Sequence, residues 1–413
     1  MLLKNGLVCD HSQKIPADVR IQDGQITQIA PNLSSRADEQ VIDCKGKIIA
    51  PTLIDLNVYP KGKSLSQKTL TSLSKKSLKG GVGTALILPD TTPACENEAM
   101  IELVKSIDSL TEITLIPSIK PTNAENKIND ISILATQGGK VIYIDSRIDG
   151  NNLLKIMQYA LMLEIPVVCF AQDIELAKGA MNEGALASML GLPSISPLSQ
   201  TKEIAKISQT ARHTGAKILF SAITEPQGLE IIDYFKSKNA TIIAQTPIHH
   251  LILDENACAH YNTKAKLNPP LKDPASKQQL LEALKNGQID MLTSLQCADY
   301  NSQKDQVFEL ASFGIDAISY YFALAYTYLI KPEHIGIQDF LMLASKRQSD
   351  FLGLNKGEIA VGKDADLMII DLEAHTEISD SFSPYYGQNL GQKLDSKIEY
   401  TIIGGNIYGE FYR

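Results

Sequence analysis

The side chains that could carry chemistry follow short apolar runs in the middle of the chain. Asp145 ends the run KVIYID, Asp173 follows IPVVCFA, and His249 and His250 follow ATIIAQT. Carboxylates and imidazoles bind divalent metals and move protons in hydrolases. These four residues come from different runs, and no spacing joins them as a known ligand set. His249 and His250 are expected at the end of a strand, where adjacent residues point to opposite faces and do not readily bind one ion.

Eight apolar runs alternate with segments of helical pattern, and these elements must position the chemistry. The runs are TLIDLNV, GTALILP, EITLIPSI, KVIYID, IPVVCFA, AKILFSAI, ATIIAQT and QIDMLTSL. Apolar, β-branched strands that alternate with helices indicate parallel strands covered on both faces. Eight such units predict an α/β protein with a closed (β/α)8 TIM barrel over residues 52–357. An open doubly wound sheet is the alternative, although no glycine-rich phosphate loop supports a nucleotide fold.

The two ends of the chain have a different pattern, typical of short strands joined by tight turns. Asp23-Gly24 and Lys45-Gly46 each interrupt alternating runs near the N-terminus, and DADLMIIDL and KIEYTIIGGNIYGEFYR repeat the pattern near the C-terminus. Asp-Gly is a strong hairpin signal. We therefore expect residues 1–51 and 358–413 to form one small β-domain built from both termini.

Composition excludes several classes of function. The net charge is −8, which argues against a nucleic-acid surface. The sequence has no apolar run of about 18 residues, so we expect no membrane span. The first residues, MLLKNGLVCD, turn polar too early for a signal peptide. The six cysteines lack paired spacing, which fits reduced thiols in the cytoplasm.

Several long motifs resemble the dihydroorotases of the cyclic amidohydrolase group, over nearly the whole chain. They are GKIIAPTLIDLNV, GGVGTALILPDTTP, MNEGALASMLGLP, TPIHHLILDE, KAKLNPPLKDPASKQQLLEALKNGQID and GEIAVGKDADLMIIDL. The Asn-Pro-Pro-Leu segment is quite specific to this group. The resemblance implies a metal-bearing (β/α)8 barrel with a small sheet domain from both termini, as the pattern of runs also predicts.

The resemblance also implies a site at the C-terminal ends of the strands, and most of its residues are changed here. The His-x-His pair after the first strand becomes Asn57 and Tyr59, and the substrate-binding arginine two residues further becomes Lys61. The asparagine of the Pro-Asn-Thr motif becomes Asp90. The bridging acid or modified lysine after the fourth strand falls on or near Asp145, which would be the remnant of the metal site.

The later ligand positions of the family are apolar in this sequence. The histidines after strands five and six become Phe170 and Ala222, and the strand-eight aspartate, general base and metal ligand, becomes Leu295. Asn268, which contacts substrate in the family, is retained. Because these apolar side chains offer no lone pair to a metal, we expect the family's zinc to be lost and no other cofactor to replace it.

Three functional hypotheses follow. The favoured one is a non-catalytic dihydroorotase homologue, similar to the partner subunits that hold bacterial aspartate transcarbamoylase in an active mixed assembly. Such a chain would act in pyrimidine biosynthesis, as a homo-oligomer or in a mixed complex with aspartate transcarbamoylase catalytic chains. The second is an active cyclic-amide hydrolase with a metal site rebuilt from Asp55, Asp90, Asp145 and Asp173. The third is a module that binds a small anion through a pocket of Lys61, Asp90 and Asn268.

Two further segments have ordinary structural interpretations. SLSQKTLTSLSKKSLKGG, after the first strand, is rich in serine and lysine and is expected to be a solvated helix; the alternative is a mobile segment over the barrel mouth. DSFSPYYGQNLG resembles the family's Ser-Pro-Tyr loop and is expected to pack between the small domain and the barrel.

Overall fold

The first five strands form most of a terminal sheet. The computed structural model describes residues 1–386 and 393–409. The strands are β1 (Leu2–Cys9), β2 (Lys14–Gln22), β3 (Gln25–Ala30), β4 (Val41–Asp43) and β5 (Ile48–Pro51). β2 and β3 make the predicted hairpin, and Asp23 and Gly24 both have positive φ, 51° and 75°. That backbone is the one a two-residue hairpin of matching twist requires.

The turn at Lys45-Gly46 has a different role from the hairpin that its pattern suggested. β4 and β5, which flank it, both pair in parallel with β1, one after the other along the same strand. The turn therefore shifts the chain along one edge of β1 instead of reversing it. The expectation of strand, turn and strand is correct here, but hairpin pairing is not.

The middle of the chain forms the predicted barrel. Its strands are β6 (Leu53–Tyr59), β7 (Val82–Ile87), β8 (Thr114–Ile119), β9 (Val141–Asp145), β10 (Val167–Phe170), β13 (Ile218–Ser221), β14 (Ile242–Pro247), β15 (Met291–Thr293) and β16 (Gln296–Cys297). Two short strands between β10 and β13, β11 (Met181–Asn182) and β12 (Ser194–Ile195), form a separate parallel pair outside the barrel. Each barrel strand pairs in parallel with its neighbours in chain order, and β16 pairs with β6. β15 and β16 are two parts of one eighth strand, so eight strands close the barrel.

Three C-terminal strands complete the terminal sheet. β17 (Leu367–Glu377) pairs with β5, and β18 (Lys393–Ile403) and β19 (Asn406–Gly409) follow in antiparallel order. Both ends of the chain thus share one sheet next to the barrel, as the sequence predicts. Residues 387–392 and 410–413 lie outside the described residues.

Helices connect the barrel strands on the outside. They are α1 (Gln67–Lys79), α2 (Glu98–Asp108), α3 (Ile131–Gln137), α4 (Gly150–Met162), α5 (Ala185–Leu190), α6 (Leu198–Thr214), α7 (Pro226–Lys236), α8 (Ile248–Ile252), α9 (Pro274–Lys285), α10 (Asn301–Lys304), α11 (Tyr321–Ala325), α12 (Ile337–Leu341) and α13 (Arg347–Leu352). Short 3₁₀ or π turns span Lys61–Lys63, Glu255–Tyr261, Thr263–Ala265, Ile318–Tyr320, Tyr326–Ile330 and Met342–Lys346. Among the described residues, no helix is both long and apolar enough to cross a membrane.

Two kinds of packing hold these layers together. Inside the barrel, apolar side chains from successive strands form one cluster, which includes Ile54, Leu86, Ile116 and Val168. Helices cover the outside of the strands in a second and larger cluster. The barrel is therefore a packed core, and chemistry can take place only at the mouth formed by the C-terminal ends of its strands.

Candidate functional site

The end of the first strand is a buried aromatic and amide surface. Asn57 and Tyr59 are both buried at the end of β6. The phenol of Tyr59 interacts with that of Tyr143, from the fourth barrel strand, and burial raises the pKa of both phenols well above the ordinary value. Lys63 Nζ lies 4.3 Å from the centre of the Tyr59 ring. Tyr59 and Tyr143 therefore remain neutral near pH 7.

Asp55 closes the seam between the first and eighth strands. Its carboxylate accepts hydrogen bonds from Thr293 Oγ1 at 2.6 Å and from the Ser294 amide at 2.9 Å. The Ser294 hydroxyl, at 2.5 Å, and the Asn57 amide, at 3.0 Å, also donate to it. Burial raises the pKa of Asp55, whereas these donors act in the opposite direction. Every oxygen of this carboxylate is used inside the barrel wall, so Asp55 has a structural role.

One arginine joins the two acidic positions at the mouth. Arg147 Nη2 is 2.7 Å from Asp90 Oδ2, and Arg147 Nε is 2.9 Å from Asp145 Oδ2. Lys120 Nζ lies 3.0 Å from the other oxygen of Asp90. Hydrogen bonding to Asp145 raises the pKa of Arg147 above its ordinary value. The fixed positive charges of Arg147 and Lys120 therefore neutralise both carboxylates.

Two of the three apolar residues at the family's ligand positions have an unusual backbone conformation. Ala222, after the sixth strand, has φ 57°, and Leu295, within the eighth, has φ 49°. This left-handed conformation costs roughly 1–2 kcal/mol for a residue with a Cβ atom, and such outliers cluster at functional sites. Gln200 holds the first bend, because its side-chain nitrogen donates to the Ala222 carbonyl at 3.1 Å. Both positions therefore have the left-handed backbone, but their side chains are only a methyl and an isobutyl group.

The pocket predicted from Lys61, Asp90 and Asn268 is divided among separate contacts. Asn268 and Gln172 form two reciprocal amide hydrogen bonds of 2.8 and 3.0 Å. Lys61 lies over the ring of Tyr300, 5.4 Å from its centre. The use of these three residues as one pocket stays a prediction.

Asp173 and the histidine pair are engaged elsewhere. Asp173 pairs with Lys202 on α6, and this hydrogen bond lowers the pKa of the carboxyl. His249 and His250 lie in the short helix α8, not on a strand, because the strand ends at Pro247. The expectation that they alternate across a strand is therefore wrong, and both are buried.

Each buried histidine is held by the backbone of a neighbouring segment. His249 Nε2 is 2.9 Å from the Ser294 carbonyl, so this nitrogen carries the proton and Nδ1 accepts from the Tyr385 hydroxyl at 2.6 Å. His250 Nε2 is 2.9 Å from the Pro269 carbonyl. Burial lowers the pKa of His249 to about 4 and that of His250 to about 3. Both rings are neutral at pH 7.

Tyr385 anchors the loop that resembles the Ser-Pro-Tyr motif. It is buried, stacks on Tyr328 and donates to His249 of the barrel. The described part of the loop therefore packs against the barrel, as expected, while its continuation over residues 387–391 lies outside the described residues.

Four residues that shape the mouth were missed from the sequence: Lys120, Tyr143, Arg147 and Gln172. Arg147 stands two residues after Asp145 in YIDSR, and Tyr143 stands two before it. An Asp-x-Arg spacing at a strand end was a usable signal for a local ion pair. Arg147 also contacts Asp90, which lies in a different loop. No local sequence pattern predicts a contact between two loops.

The zinc ion that the resemblance implies does not fit the residues present. Its ligand positions hold Asn57, Tyr59, Phe170, Ala222 and Leu295. Among residues 1–386 and 393–409, no three His, Cys, Asp or Glu side chains are grouped so that they could hold a metal ion. The acids nearest the mouth, Asp90 and Asp145, already bind Arg147. No metal-dependent step can be derived from this donor set.

Comparisons with known proteins give the family. Residues 62–408 match the family model described as "Amidohydrolase family". The chain is 30% identical over 417 residues to a dihydroorotase of Ruminiclostridium cellulolyticum, with 98% of this chain and 97% of the relative covered. It is 32% identical over 409 residues to a "probable dihydroorotase-like protein" of Helicobacter pylori, with 98% and 99% covered.

Solved structures give the same architecture. The L-hydantoinase of Arthrobacter aurescens superposes with a TM-score of 0.87 at 17% identity, over 99% of this chain and 96% of that one. The dihydropyrimidinase of Brevibacillus agri superposes with a TM-score of 0.85 at 19% identity, over 99% and 94%. At such identities the likeness shows the fold alone. The family match and the full-length relatives show more: this chain belongs to the amidohydrolase family, as a dihydroorotase-like member.

Proposed function

We propose that this chain is a catalytically inactive dihydroorotase homologue. In this proposal it serves as a structural or assembly subunit for aspartate transcarbamoylase in de novo pyrimidine biosynthesis. The proposal has two separable parts, the lack of hydrolysis and the role in assembly. Different observations support them, and each has its own experiment.

The observation that carries the first part is the set of side chains at the barrel mouth. Phe170, Ala222 and Leu295 replace groups that would bind a metal or accept a proton. Opening a cyclic amide at neutral pH needs an activated water and a base within hydrogen-bond reach of it. Arg147 binds the two remaining acids, Asp90 and Asp145, and so competes with any water or ion for their oxygens.

The histidines do not replace the lost base. Both ring nitrogens of His249 are occupied, one by the Ser294 carbonyl and the other by the Tyr385 hydroxyl. The ring is fully buried, so substrate would reach it only after Tyr385 moved away. His250 is buried as well, and its Nε2 donates to the Pro269 carbonyl at 2.9 Å.

The retained fold of the chain supports the assembly role. The barrel and the terminal sheet are both complete in architecture, and relatives align over 98% of the chain. A chain that keeps a whole fold while lacking the ligand set is suited to a role carried by its surface. The choice of aspartate transcarbamoylase catalytic chains as partner, in a mixed complex, comes from the resemblance to non-catalytic dihydroorotase-like subunits.

Co-sedimentation tests the assembly part. The purified chain and the aspartate transcarbamoylase of the same organism are mixed and followed by sedimentation velocity, and carbamoyl transfer is assayed with and without the chain. We expect a faster-sedimenting complex and a higher transferase rate in it. Separate boundaries and an unchanged rate, at concentrations up to roughly 100 μM, would contradict the assembly role, since stable assemblies bind well below this concentration.

Restoring the first ligand pair tests the inactivity part. The double substitution Asn57→His with Tyr59→His should give no hydrolysis of dihydroorotate with added zinc, because the positions of Phe170, Ala222 and Leu295 still lack ligands. A second variant that has the family's ligands at all five changed positions serves as the positive control for the double variant. Ring opening by the double variant alone would show that a rebuilt metal site already exists in this chain.

A further inference from the structure

Helix α1 carries a row of exposed lysines that the barrel mouth does not use. Lys68, Lys75 and Lys79 are exposed, and their spacing of i, i+7 and i+11 places them along one side of the helix. The opposite side is buried through Leu70 and Leu73. The three residues, here termed the α1 lysine row, extend over about 16 Å of helix axis.

The α1 lysine row is positively charged, whereas the chain as a whole is negatively charged. The whole chain carries −8, yet α1 contains no aspartate or glutamate. The one lysine of α1 that is not part of the row, Lys76, pairs with Asp316. Within the described part of the chain, no carboxylate lies within 4.0 Å of the amines of the row. Like charges at such spacing repel one another, so opposite charges on a partner would be favourable here.

The shape beside the row offers room for a partner's side chains. The solvent-facing side of α1, formed by Gln67, Lys68, Thr71, Ser72, Lys75, Lys76 and Lys79, is open to solvent. A cleft of about 1730 Å³ beside it shares three of these lysines and extends to β18 and β19 of the terminal sheet. Its walls carry both signs of charge, including Glu112 and Asp299; Glu399, also in the wall, already pairs with Lys47.

We propose that the α1 lysine row docks a row of aspartate or glutamate side chains on a partner protein. The carboxylates in the adjoining cleft favour a protein over a nucleic acid. A phosphate backbone is negative throughout and would be repelled there, whereas a protein can present basic groups opposite Glu112 and Asp299. The inference names the docking surface of the proposed assembly and so rests on the proposed function.

The test compares two charge-reversal variants of equal net charge. The row variant combines Lys68→Glu, Lys75→Glu and Lys79→Glu. The control variant changes three exposed lysines in the same way: Lys155 in α4, Lys238 in the turn after α7 and Lys285 at the end of α9. A third variant with glutamine in the row keeps helix propensity without introducing repulsion. Melting temperatures of all variants show whether the fold is kept.

Three probes separate the outcomes: the aspartate transcarbamoylase of the same organism, a synthetic polyglutamate peptide and a DNA duplex. At about 50 mM salt we expect the row variant to bind the transcarbamoylase and the peptide about tenfold more weakly than the control, and this gap should shrink at about 500 mM salt. The glutamine variant should lie between them.

Each remaining outcome decides one of the two proposals. Equal binding of row and control variants to the two protein probes would overturn the docking surface. Stronger, row-dependent binding to the duplex would also overturn it, in favour of a nucleic-acid surface. If the unaltered chain binds the peptide through the row but does not bind the transcarbamoylase, the surface stands and the proposed assembly falls.

Discussion

Arg147 is the fixed cation of the barrel mouth, and its removal should have a measurable cost. Arg147→Met removes the contact with Asp90 Oδ2 at 2.7 Å and both contacts with Asp145, while Asp90 keeps Lys120 at 3.0 Å. The arginine side chain is 48% exposed, so each ion pair contributes only about 0.5–1 kcal/mol. Asp145, 15% exposed, keeps the backbone amide of residue 147 at 2.9 Å but loses its charged partner, which adds about 1 kcal/mol. The expected loss of unfolding free energy is therefore roughly 2–3 kcal/mol.

A double-mutant cycle with Asp145→Asn isolates this interaction. Urea unfolding of the four proteins should give a coupling energy of about 1 kcal/mol between Arg147 and Asp145, since the second change removes the unpaired charge. Millimolar Mn²⁺ should raise the melting temperature of Arg147→Met, in which Asp145 has lost its cation and Asp90 keeps only Lys120, more than that of the unaltered chain. A coupling energy of zero together with equal responses to Mn²⁺ would refute the claim that Arg147 is the cation of this site.

Three other predictions concern the buried polar network. His249 and His250, with folded pKa values of about 4 and about 3, stay neutral while the unfolded chain binds protons below about pH 6.5. Stability should thus fall as the pH is lowered from about 6.5 to 4.5, by about 1.4 kcal/mol per pH unit for each histidine, and a flat urea midpoint over this range would contradict it. Tyr385→Phe should cost about 1–3 kcal/mol, because it leaves His249 Nδ1 buried without a donor, and Tyr386→Phe is the matched control for urea unfolding. Asp55→Asn should cost about 2–4 kcal/mol, since an amide nitrogen would face hydroxyl and amide donors at the barrel seam; unchanged urea unfolding would show that the seam does not depend on this carboxylate.

Most of the fold could be predicted because its signals are local. Each of the eight apolar runs overlaps an observed barrel strand, and the hairpin at Asp23-Gly24 lies where the turn residues indicate. The pairing around Lys45-Gly46 was not local, because β1 is the common partner of both flanking strands. The position of His249 and His250 was missed because Pro247 ends the strand and a short helix begins at once.

The candidate site was predicted only in part, for a physical reason. The resemblance located strand ends such as Phe170 and Leu295, and the structure places them at or near the mouth. What the sequence alone did not show is how the remaining polar groups are satisfied. The Arg147–Asp90 pair and the Gln172–Asn268 pair join loops that are distant in the sequence, so only the closed barrel brings them together.

The rate of dihydroorotate hydrolysis tests the proposed inactivity of the barrel mouth. The purified chain is assayed with added zinc, alone and after mixing with the aspartate transcarbamoylase of the same organism. We expect no rate above buffer in either case. A zinc-dependent rate that is abolished by Asp145→Asn would contradict it, because it would mean that Asp145 leaves Arg147 and binds a metal in the working protein.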